Sequence, residues 1–161
     1  MRPLSCPPLI PKRTVINEMV LNLELAASVI DLCGGKPMAG IDGQSWKPLL
    51  AGKTTGWRKS WLDGYNSEKE FPYTPNGRGV RTASWKYIYY PSGDVTPSHD
   101  AAELYNLATD PLETHKLIAD PTATKQLTDL RNESARLLAK HKAVPDRMPP
   151  DGGIINVLEK F

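Results

Sequence analysis

Residues 77–93, GRGVRTASWKYIYYPSG, commit this chain to antiparallel sheet. Val80, Thr82, Trp85, Tyr87, Ile88, Tyr89 and Tyr90 are β-branched or aromatic, the types that fit a pleated surface. Ala83-Ser84 separates two such runs at the length of a tight hairpin loop. Ala-Ser is not a favoured pair for that turn, so the register stays open at this point. Pro91 then stops the second strand. Alternation places Trp85, Tyr87 and Tyr89 on one face. Such a stripe either packs under a helix or stacks sugars, and packing is the preferred reading.

A helix suited to cover that stripe lies downstream. Leu127, Leu130, Leu137 and Leu138 share one face of a segment running from about Pro121 to His141. Two Asp-Pro pairs precede it. Asp110 and Asp120 each have the chemistry of an N-cap, with Pro111 and Pro121 at the first helical position, where a missing N–H costs nothing. Asp110 and Glu113 have capping-box spacing. A short helix over 111–118 and a long one over 121–141 are therefore expected. Two more short strands are read in Lys59–Tyr65 and Glu103–Leu107. The fold class is α+β: a small antiparallel sheet of about four strands packed on a C-terminal amphipathic helix.

The N-terminal third reads differently. Thr14–Met19 allows a short extended piece. Asn22 is a candidate cap and Gly34-Gly35 a stop for a helix between them. That helix carries apolar residues nearly all round, so it requires cover on more than one side, with Cys33 as a small core residue. Residues 34–58 read as loop, fastened by Trp46, Leu49 and Leu50. Residues 144–161 form a tail rich in proline and glycine.

With 161 residues and a net charge of +2, the chain suits one compact domain and has too little charge to argue for nucleic acid or an anionic membrane. No apolar run reaches the roughly 18 residues of a membrane span, and no signal peptide is visible. Cys6 and Cys33 lie in no CxxC, and two isolated thiols are preferred to one disulfide. His99, His115 and His141 fall on separate elements, which argues against a shared metal. His141 complements the dipole of the last helix. Asn132-Glu133-Ser134 is a glycosylation sequon, expected unused inside a helix.

Four segments resemble the C-terminal part of the type I sulfatases, the branch of heparan N-sulfatase and arylsulfatase-like enzymes. NLELAASVIDLCG resembles the family's N-x-D-L-A-P-T-x-x-D-x-x-G helix, and IDGQSWKPLLAGK its D-G-x-S-x-x-P-L-L-x-G. RGVRTASWKYIYY resembles G-V-R-T-x-x-Y-K-Y-I, and ELYNLATDPLETHKLIADP resembles E-L-Y-D-L-x-x-D-P-x-E-x-x-N-L. Glu24, Ala27 and Lys116 depart from the family's aspartate, proline and asparagine.

The resemblance implies hydrolysis of sulfate esters or sulfamates by a formylglycine beside a calcium, both in a large N-terminal α/β domain. Cys6 is followed by Pro-Pro-Leu, not x-Pro-Ser-Arg. No catalytic, cofactor or metal residue is therefore assigned in this chain, and the catalytic domain is expected to be missing or on a separate chain. By resemblance, residues 1–55 are the last helix and connecting loop of the catalytic domain, 56–143 the C-terminal subdomain, and 144–161 the tail. Glu70, Tyr73, Arg78 and Arg81 are candidates for the rim of the substrate cleft. The plainer readings are a surface loop for Glu70 and Tyr73, and a salt bridge or solvent for the arginines. The expected partners are a sulfatase catalytic domain and sulfated carbohydrate, with no nucleic acid and no membrane. The compartment stays open, since the family is mostly exported, periplasmic or lysosomal. The alternative function is a free-standing, non-catalytic module that binds a sulfated glycan or a protein, including as a regulatory subunit.

Overall fold

The computed structural model describes residues 10, 13–36, 39–65, 77–90 and 102–143. The chain divides into two compact units, Met1–Lys59 and Ser60–Phe161.

The second unit holds the sheet. Its strands are β1 (Ser60–Tyr65), β2 (Gly77–Thr82), β3 (Trp85–Tyr89) and β4 (Ala102–Asn106), all antiparallel neighbours in the order β1-β2-β3-β4. The hairpin turn falls at Ala83-Ser84, as expected. Thr82 supplies what the turn pair lacks. Its hydroxyl accepts from the Trp85 N–H at 3.0 Å and lies 3.3 Å from the Trp85 carbonyl. The register then follows: Asp63 opposite Gly79, Gly79 opposite Ile88, Ile88 opposite Glu103.

A 3₁₀ turn at Pro121–Ala123 leads directly into α3 (Thr124–Lys140). Asp120 caps it as read, accepting from the Thr122 N–H at 2.8 Å with its backbone extended. Leu130 and Leu137 of α3 pack on Val80, Tyr87 and Leu104, and Leu127 joins from the side. Trp85, Tyr87 and Tyr89 face this core, with the Tyr87 and Tyr89 rings stacked at 5.9 Å. The Arg131 guanidinium lies over the Tyr87 ring, 6.0 Å from its centroid. Ser134 of the sequon is buried on α3 beneath this packing.

The expected helix over 111–118 does not form. Asp110 uses its carboxylate for a wider turn, accepting from the His115 N–H at 2.8 Å and the Thr114 hydroxyl at 3.0 Å. Glu113 adopts a left-handed φ of 57°, which ends any helix there. Its carboxylate leaves the capping-box position and pairs with Lys86 at 2.6 Å. The chain then runs beside β4, where the Leu117 N–H donates to the Leu104 carbonyl at 2.8 Å. Tertiary pairing overrides the local helix signal.

The first unit contains α1 (Glu24–Leu32) and a four-residue helix, α2 (Lys47–Leu50), inside the stretch read as loop. Leu49 and Leu50 are buried, as expected. Thr14–Met19 adopts no strand. Gly34, at φ 75°, stops α1, and the Gly35 N–H returns to the Ile30 carbonyl at 2.8 Å. Asn22 makes no cap; Glu24 reaches back instead and accepts from the Leu21 N–H at 2.6 Å. Cys33 is exposed at the end of the helix rather than in a core.

The polarity of α1 is inverted. Its buried residues are Glu24 and Ser28, while Leu25 and Val29 are 56% and 47% exposed. Arg58 forms an ion pair with the buried Glu24 carboxylate. The Ser28 hydroxyl donates to the Glu24 carbonyl at 2.7 Å and accepts from the Trp46 N–H at 3.0 Å. Farther along, Lys47 holds Asp31 at 3.0 Å. Hydrogen bonds from Ser45 and then Lys47 keep the Asp31 carboxyl below its ordinary range.

Candidate functional site

Strand alternation divides the sheet into two faces. Val80, Tyr87 and Leu104 face α3. Trp61, Asp63 and Tyr65 of β1, Gly77, Gly79 and Arg81 of β2, Lys86 and Ile88 of β3, and Glu103 and Tyr105 of β4 belong to the opposite face.

One half of that opposite face is a network of charges. Tyr105 donates to Glu103 at 3.0 Å, and Lys116 reaches the same carboxylate at 3.1 Å. Partial burial, then the bond to Glu103, pushes the Tyr105 phenol up to about 12. The Lys86–Glu113 pair lies alongside. These groups satisfy one another and leave neither a nucleophile nor a poised base.

The other half is concave. Asp63, Gly64, Tyr65, Gly77, Gly79, Ile88 and Tyr90 line a cavity of about 230 Å³. Gly77 and Gly79 are buried at its floor. Asp63 accepts from the Gly64 N–H at 3.0 Å.

Of the residues read as a cleft rim, Glu70 and Tyr73 lie outside the described residues. Arg78 is half-buried, and its Nη1 donates to the carbonyls of Tyr65 and Gly77 at 3.2 and 3.1 Å. Arg81 is exposed between Trp61 and Lys86. Three residues apart on a strand, the two arginines point to opposite faces and form no fork. The floor of this cavity is set by the Gly77-x-Gly79 spacing. Two glycines at strand periodicity were the visible signal.

Among the described residues, no three His, Cys, Asp or Glu side chains converge as metal ligands. Cys33 stands exposed at a helix end, followed by two glycines. The described residues therefore do not fit a calcium or a formylglycine, and no chemical step is assigned to them.

The family model described as N-sulphoglucosamine sulphohydrolase, C-terminal, matches residues 3–140. The chain belongs to this sulfatase family. It is similar to a Delta 4,5-hexuronate-2-O-sulfatase of Bacteroides thetaiotaomicron, with 31% identity over 77% of this chain and 22% of that protein. An N-acetylglucosamine-6-O-sulfatase of the same organism is 28% identical over 68% of this chain and 19% of its own length. Among solved structures, a 2-O GAG sulfatase aligns with a TM-score of 0.62 and 30% identity, covering 75% of this chain and 25% of that one. The chain thus spans about a fifth to a quarter of these sulfatases and corresponds to their C-terminal part.

Proposed function

We propose that this sulfatase C-terminal region acts as the structural and cleft-walling subdomain of a sulfuric ester or sulfamate hydrolase. Its partner is a sulfatase catalytic domain, which supplies the formylglycine and the calcium, and its substrate class is sulfated carbohydrate. The observation that carries this reading is α1. A helix that buries Glu24 and Ser28 while presenting Leu25 and Val29 to solvent has its apolar stripe aimed at something outside its own unit. The partner proposed for that stripe is a sulfatase catalytic domain. The relatives' greater length supports this, since the chain spans only 22% of one and 19% of another.

The test is co-expression with a sulfatase catalytic domain. The reading expects stable co-purification and turnover of an aryl sulfate in calcium, with no turnover above background by this chain alone. Replacing Leu25 and Val29 together by aspartate is expected to abolish the association. The free-standing binding module predicts the opposite: a monomer that ignores the catalytic domain and keeps its properties in the double variant.

A further inference from the structure

Gly77 and Gly79 sit in β2, a central strand, where glycine costs about 0.5–1 kcal/mol each in lost backbone freedom. The backbone does not require them. The left-handed glycines are Gly34, Gly40, Gly52 and Gly56, and neither Gly77 nor Gly79 is among them. Sterics within the chain do not require them either. A Cβ built on Gly77 meets its nearest neighbour, the Tyr90 ring, at 3.7 Å, and one on Gly79 meets the Tyr87 carbonyl oxygen at 3.4 Å. Both are ordinary contacts. Glycine inside a strand marks a bulge, a tight bend or a close approach by a ligand or another backbone; β2 keeps an unbroken register with both neighbours, which leaves the close approach.

The walls identify what approaches. Tyr65 and Tyr90 offer aromatic rings, Ile88 offers an apolar wall, and Asp63 is the one charged group among the described residues lining the cavity. Asp63 Oδ1 is held by the Gly64 N–H, which leaves Oδ2 to accept from a hydroxyl. Aromatic walls, a flat floor and an acceptor at one edge suit a sugar ring, which has an apolar C–H face and a hydroxyl rim. At about 230 Å³ the cavity lies below the roughly 300 Å³ of drug-sized pockets, so it admits one ring. The Asp63 carboxylate repels a sulfate group.

We infer that this glycine-floored concavity is a subsite for a single saccharide ring, which it grips by its uncharged face and hydroxyls and not by a sulfate. The inference rests on the carbohydrate reading proposed above and sharpens it, because the sulfate-binding groups must then lie elsewhere. The test follows backbone amide shifts of the chain during titration with cellobiose and, separately, with a heparin-derived disaccharide. Saturable shifts at Gly64, Gly77 and Gly79 are expected with both sugars. Gly79→Val fills the floor and is expected to abolish them. Tyr65→Ala, at an exposed position that does not threaten folding, is expected to weaken binding about tenfold. Asp63→Asn is expected to improve binding of the sulfated sugar over the plain one. Absence of saturable shifts, binding only of the sulfated sugar, or binding unchanged in both Gly79→Val and Tyr65→Ala would each overturn the subsite. Failure here is distinguishable from failure of the broader reading. Turnover of the aryl sulfate by the co-expressed complex, with no saturable shifts from either sugar, removes the subsite alone. An intact subsite in a complex without turnover removes the hydrolase reading alone.

Discussion

The two units of this chain differ in what their principal helices bury. The sheet unit buries Val80, Leu104, Leu130 and Leu137 and leaves its charges outside. The N-terminal unit instead fully buries Glu24 and Ser28 and leaves Leu23, Leu25 and Val29 in water. The first arrangement draws its stability from apolar area removed from water. The second rests on a polar knot around α1, in which the Glu24 carboxylate holds the Leu21 N–H and Arg58. Buried ion pairs contribute little net stability but fix geometry, because the desolvation cost offsets most of the attraction. The contrast teaches that apolar area holds the sheet to α3, while a polar knot holds α1 with its apolar residues outward.

The sharpest way to break this comparison is inside the sheet unit. Leu104→Ala is expected to cost about 4 kcal/mol, since the residue is completely buried between sheet and α3. Urea unfolding followed by tyrosine fluorescence measures it, and a loss below 1 kcal/mol would deny the sheet its core. Glu24→Ala is expected to cost about 3 kcal/mol locally by leaving Arg58 without its partner. Hydrogen exchange should then quicken across α1 while the β2–β3 amides keep their protection; equal quickening in both units would erase the distinction.

Asp120→Ala removes the cap of the 3₁₀ turn that starts α3 and is expected to cost about 1 kcal/mol. Asp110→Ala provides the control, because that carboxylate closes a turn and caps no helix.

Acid provides a weaker probe. The bidentate pair with Arg136, at 2.7 Å for each bond, and then the Ser60 hydroxyl hold the Glu133 carboxyl down at about 2. A depressed carboxylate stabilises the fold fully above its ordinary value of 4.5, and that stabilisation is lost as pH falls toward 2. Arg136 is exposed and Glu133 partly so, so salt should weaken the effect, and Glu133→Gln should flatten the stability profile between those limits. The smallest change in stability is expected from Leu25→Lys, within about 0.5 kcal/mol, because the side chain is exposed. Its effect should fall on association, read by light scattering.

Much of the sheet unit was legible because its signals are local and agree. Aromatic and β-branched residues marked both hairpin strands, and leucine spacing marked α3. The two Asp-Pro pairs show where such legibility ends. They look alike in sequence, yet only Asp120 opens a helix. At Asp110 the outcome was decided by Lys86 drawing Glu113 away and by Leu104 accepting from Leu117, partners far off in the chain. The inversion of α1 was hidden for a related reason. The segment is apolar nearly all round, so its spacing does not tell which side its own unit will cover. The concavity was harder still, because Asp63, Gly79 and Ile88 become neighbours only once three strands are in register.

The hydrogen bond from Leu117 to Leu104 also protects one edge of the sheet. The outer edge of a sheet is a template for adding another strand. With the Leu104 carbonyl already taken by the Leu117 N–H, an incoming strand would have to displace that bond before it could pair there with β4.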